Sequence, residues 1–189
     1  LCISYVFRRS ICDIPTNSLN KTFATLKNEI KPDDYVNSIK AFFVMRNDYK
    51  EFPDDDKFAA AFVSRDIYTM RSRNFIISHL ENYGNKAPII IENYTIEHIM
   101  PQNSSLSPEW QQMLGANWRE VQKTYLHTIG NLTLTAYNSE MSDHPFMVKM
   151  DMEGGFKESA LRLNAYVVKL NEWNEQTIKE RAALLADKA

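Results

Sequence analysis

Thr95-Ile96-Glu97-His98-Ile99-Met100-Pro101-Gln102 begins as a strand and runs into a proline. The residues before it, 88 to 94, are rich in β-branched and aromatic side chains and too few for a helix, which predicts a strand from residue 88 to about His98. Pro101 forces an extended, non-helical continuation. Glu97 and His98 therefore stand at a strand terminus with their side chains on opposite faces. A hydrophobic core has no use for such a pair. Downstream, Gly130 precedes Asn131-Leu132-Thr133-Leu134-Thr135, a second alternating strand with Leu132 and Leu134 on one face, and a short helix from about residue 136 carries Asn138. Together these segments predict a ββα unit with polar groups at three places.

Helix signals lie on both sides of the unit. Ile3, Val6, Phe7, Ile11 and Ile14 recur at helical spacing, followed by Leu19, Phe23, Leu26 and Ile30. Pro32-Asp33-Asp34 and Pro53-Asp54-Asp55-Asp56 each open a further helix, with proline and acids where the first turn favours them. A fifth helix is expected over 71–83, stopped at Gly84. Short helices are expected at 108–113 and 118–126. Tail helices follow from Leu163, Val167 and Leu170 and from Ile178, Ala182 and Leu185. The expected class is α+β, predominantly helical, divided into an N-terminal helical lobe (1–85), the ββα core (86–150) and C-terminal helices (151–189).

Composition narrows the function classes. The 189 residues are 44 % hydrophobic with a net charge of -2, which excludes a disordered chain and suits one domain or a core with an accessory lobe. Only five glycines occur, at 84, 115, 130, 154 and 155, so no glycine-rich phosphate loop can be written. Residues 1–85 carry a net of +1 and the rest -3, so there is no global basic field to hold nucleic acid. Arg8-Arg9 and Arg65, Arg71 and Arg73 could follow a DNA backbone, but the interleaved acids favour solvated helix faces. Cys2 and Cys12 form no CxxC pair and read as reduced, half-buried thiols. No apolar stretch is long enough to span a membrane. These features are those of a soluble cytoplasmic fragment whose natural N-terminus lies upstream.

Four histidines limit the search for chemistry. His79 falls in an apolar helix and His144 in a polar loop, both unremarkable positions. His98 stands beside an acid, and His127 shortly precedes Gly130. Trp110, Trp118 and Trp173 fall at helical positions expected of core anchors.

The ordered series Glu97-His98-Ile99-Met100-Pro101-Gln102, then Gly130-Asn131-Leu132-Thr133-Leu134, then Tyr137-Asn138-Ser139, is similar to the C-terminal nuclease domain of GmrSD-type restriction endonucleases, within the HNH or His-Me finger superfamily. The likeness extends to Pro145-Phe146, Lys149, Trp173, Ile178 and Arg181, and upstream through the helical first part. The resemblance implies a ββα-metal core that cuts DNA. In it His98 is the general base, Glu97 and Asn138 hold Mg²⁺ or Mn²⁺, and Asn131 ties the loop after the first strand and helps to orient His98. It also implies an upstream nucleotide-hydrolysing or sensing domain that recognises modified phage DNA. Glu97 replaces the more usual Asp, and Asn138 the more usual His. His127 stays open between a role at the phosphate or leaving group and packing beneath the hairpin. Lys149 stays open between a phosphate contact and a surface lysine. A degenerate module that binds DNA or a protein without cutting is the alternative.

Overall fold

The computed structural model describes residues 1–46 and 50–189, which divide into two compact units, Leu1–Phe62 and Val63–Ala189. In the first unit the apolar spacing becomes helix: α1 (Cys2–Ile11), α2 (Leu19–Leu26), α3 (Tyr35–Val44, after a 3₁₀ turn at Pro32–Asp34) and α4 (Asp55–Ser64), which runs across the unit boundary. The Asp54 carboxylate accepts the Lys57 amide at 2.7 Å, capping the start of α4. Aromatic rings fill the core, Tyr5 against Phe43 at 4.5 Å and Phe7 against Phe58 at 5.7 Å. Burying rings such as Phe43 and Phe62 stabilises by about 1.5–3 kcal/mol each.

The inner face of α1 differs from the one its apolar residues suggested. Ile3 is exposed, whereas Tyr5 and Arg9 are buried with Phe7 and Ile11. Arg9 is tolerated there because its guanidinium donates to Glu51 O, Pro15 O and Ser18 Oγ. It is therefore not a surface contact for a DNA backbone. Cys12 is partly buried, but Cys2 is exposed.

The second unit contains α5 (Arg73–Asn82), β1 (Thr95–His98), α6 (Pro108–Leu114), α7 (Trp118–Tyr125), β2 (Leu132–Thr135), α8 (Asn138–Met141), α9 (Phe146–Asp151) and α10 (Glu175–Ala186). Helix α5, read from the sequence as part of segment 1–85, belongs here: both Glu81 carboxylate oxygens accept backbone amides, those of Arg162 and Leu163, at 2.9 Å. Strands β1 and β2 pair antiparallel, with Glu97 opposite Thr133 and His98 opposite Leu132. All four β2 residues are buried, so both of its faces are covered. Trp110, Trp118 and Trp173 are core residues, as expected.

Two elements depart from the sequence reading. No strand begins at residue 88; a 3₁₀ turn occupies Ile91–Asn93, and the Asn82 side chain takes both the amide and the carbonyl of Ile89. The tail around Leu163 to Leu170 forms two 3₁₀ turns, Arg162–Asn164 and Val167–Lys169, in place of an α-helix. The carbonyl of Leu163, which an α-helix would offer to residue 167, instead accepts from Arg181. Helix α10 forms as the spacing indicates and starts with a reciprocal Asn174–Thr177 capping box.

Candidate active site

Asn131 shows how this site is assembled. It is fully buried just before β2, and its side-chain oxygen accepts from Met100 N (2.8 Å) and Trp173 Nε1 (3.0 Å). Its side-chain nitrogen donates to Met100 O and Leu126 O, both at 3.0 Å. One amide thereby closes the loop after β1 onto the turn before β2 and satisfies every polar group it meets.

Lys149 on α9 grips the same loop from another side. Its ammonium donates to Glu97 Oε1 at 2.5 Å, His98 O at 3.1 Å and Ile99 O at 3.3 Å, which uses all three of its donors. The side chain is fully buried, so the surface-lysine reading fails, and contact with a phosphate would require these bonds to break. Burial pushes the Glu97 carboxyl up and the Lys149 ammonium down, each towards its neutral form, and their mutual contact pulls both back.

His98 points away from this pair. Its Nε2 lies 3.0 Å from Nδ1 of His127, which is partly buried. Tyr68 covers both rings, stacked on His127 at 5.2 Å and edge-on to His98 at 4.5 Å. The chain carrying Tyr68 is held there because Ile67 N and Tyr68 N donate to His127 O. Burial first, then the nearby His127 and Lys149, lowers the His98 pKa to about 3, while Asp66 acts in the opposite sense. His98 is thus held as a neutral imidazole of low basicity.

Asn138, the first residue of α8, is exposed, and its amide nitrogen lies 3.5 Å from Ile96 O. The structure therefore brings Asn138 beside the strand residue that precedes Glu97. A carboxylate and an amide oxygen are hard donors of the kind Mg²⁺ or Mn²⁺ takes together with water. Glu97 and Asn138 fit such an ion in donor type, with one Glu97 oxygen shared with Lys149. Among the described residues, no group of three or more His, Cys, Asp or Glu side chains is arranged to hold a metal.

The family profile described as "GmrSD restriction endonucleases, C-terminal domain" matches residues 52–188. The chain belongs to this family. A comparison with curated proteins gives no match. In this GmrSD C-terminal domain, no helix among the described residues is long and apolar enough to cross a membrane. Sequence reasoning missed Tyr68 and Asp66. The only local signal is an Asx turn, in which Asp66 accepts the Thr69 amide, and nothing in the spacing ties it to positions 98 and 127.

Proposed function

We propose that the GmrSD domain is a metal-dependent DNA endonuclease, nicking or cutting both strands, within a cytoplasmic modification-dependent restriction or phage-defence protein. The observation that supports this best is the ladder that sets Glu97-His98 at the end of β1 directly against the start of β2, behind the buried Asn131, with Asn138 beside Ile96. The core would be the ββα-metal unit of residues 86–150, with helices before and after it.

His98 acts as the general base. If its Nε2–H donates to His127 Nδ1, the Nδ1 lone pair is left for the attacking water. A pKa of about 3 makes this a weak base in the resting site. An entering phosphodiester brings negative charge that favours the imidazolium and raises the pKa as the proton is taken. Asn131 holds the loop so that the strand end keeps its position, and Tyr68, packed on both rings, fixes the orientation of the imidazole pair. Glu97 and Asn138 would hold a Mg²⁺ or Mn²⁺ ion, which would supply charge stabilisation at the scissile phosphate and the leaving oxygen. Lys149 fixes the Glu97 carboxylate from behind. The upstream nucleotide-hydrolysing or sensing domain decides when cutting begins.

The rival reading, a catalytically degenerate DNA-binding or protein-interaction module, draws on one observation: Lys149 already neutralises Glu97. A plasmid-nicking assay with Mg²⁺, Mn²⁺ or EDTA separates the two. The nuclease reading expects nicking in metal, none in EDTA, and a loss of about 10²–10⁴-fold in His98→Ala. Equal metal-dependent nicking by both proteins removes His98 as the base; if neither nicks, the assay is repeated with the full-length chain, and inactivity there in every metal favours the rival.

A further inference from the structure

A second polar feature lies outside this site. A cavity of about 180 Å³ is lined by residues of the 162–169 turns and of α10 and its C-terminal end, among them Arg162, Tyr166, Lys169, Arg181 and Lys188, and by no aspartate or glutamate. Arg181 is 1 % exposed and has no carboxylate partner: its Nη1 donates to Ile129 O and Gly130 O, and its Nη2 to Leu163 O. Its Nε is buried with no partner at all. A guanidinium desolvated without a counter-charge is a costly arrangement, and burial lowers its pKa to about 9. The exposed ammonium groups of Lys169 and Lys188 form no ion pair among the described residues, and Arg162 gives one nitrogen to Tyr83 O. The acid reached through Tyr166, Glu180, is engaged by the Tyr166 hydroxyl and the Gln176 amide.

We propose that this cavity binds a phosphate group. Four cations and no acid line this small space, a charge set that matches a compact tetrahedral anion; Arg181, whose Nη donors hold backbone carbonyls, contributes its positive charge. The volume falls below the roughly 300 Å³ at which sites for larger organic ligands begin, which suits a phosphate group. The phosphate belongs either to a DNA strand or to a free phosphate compound. The same guanidinium holds Ile129 and Gly130, so the occupied cavity adjoins the turn that leads into Asn131.

The test is an NMR titration of the 189-residue chain with sodium phosphate against sodium chloride at matched ionic strength, in the wild type and in Lys169→Gln/Lys188→Gln. Both lysines are exposed, so the variant keeps its fold. Phosphate is expected to shift the amides around Lys169, Arg181 and Lys188 saturably, with affinity reduced at least about tenfold in the variant, as loss of charged hydrogen bonds implies. Absence of a saturable phosphate-specific shift, or equal affinity in both proteins, overturns the proposal. Added short duplex DNA then names the source: displacement of phosphate from these residues assigns the site to a DNA phosphodiester, and undisturbed phosphate binding assigns it to a free phosphate compound. No readout depends on cleavage, so the outcome is separate from that of the nuclease reading.

Discussion

Lys149 and Glu97 form an ion pair that is almost entirely removed from water, and the energetics of such pairs are asymmetric. Removing one partner strands a charge, whereas replacing both by neutral groups of similar shape costs little. Lys149→Met should therefore destabilise the fold by about 3–5 kcal/mol, and adding Glu97→Gln should restore most of the loss, as read from urea denaturation. Simple addition of the two losses would show that the pair is not coupled. His98 makes a pH-dependent contribution. Its folded pKa of about 3 lies below the unfolded value near 6.5, so above that value both states are neutral and the folded protein bears no penalty. Between the two values the unfolded chain binds a proton that the folded one refuses, and stability falls as pH falls. Urea midpoints from about pH 7 to pH 4 should decline less steeply in His98→Gln than in the wild type. Equal slopes would mean that His98 titrates normally.

At the scale of elements, local patterns succeeded where a helix supplies its own hydrogen bonds. The proline-and-acid start of α4 and the spacing along α10 could be read directly, whereas Pro32-Asp33-Asp34 forms a 3₁₀ turn ahead of α3. They were misleading where a distant side chain takes over the backbone. Asn82 satisfies Ile89 and removes the need for a strand partner, and Glu81 with Arg181 pins the segment after Leu161 into 3₁₀ turns. Gly130 marks a tight approach between the turn before β2 and α10. A Cβ built there would stand 2.5 Å from Ile178 O and 2.8 Å from a methyl carbon of Ile178, so α10 would have to retreat. Gly130→Ala should cost about 1–3 kcal/mol, measured by thermal denaturation, and loosen the turn that delivers Asn131. An unchanged midpoint would mean that α10 moves freely.

Across the whole molecule, the candidate residues Glu97, His98, His127, Asn131, Asn138 and Lys149 all lie in the unit Val63–Ala189, together with the tryptophan-rich core that supports them. The aromatic cluster around Tyr5 and Phe43 belongs to the other unit. The fragment 63–189 expressed alone should therefore unfold cooperatively and give dispersed amide spectra. A molten spectrum would show that its core needs residues 1–62.

The order of Glu97-His98, Asn131 and Asn138 was legible without coordinates, because motif spacing and strand or helix tendency are properties of neighbouring residues. The same holds for most helices and for the family to which the chain belongs. The surroundings of those residues were not legible in the same way. That Lys149 is buried against Glu97, that Tyr68 covers His98 and His127, and that Arg181 sits without an acid beside a cationic cavity all depend on residues far apart in the chain. Burial and charge pairing act through space, and only the folded chain determines which groups lose water together.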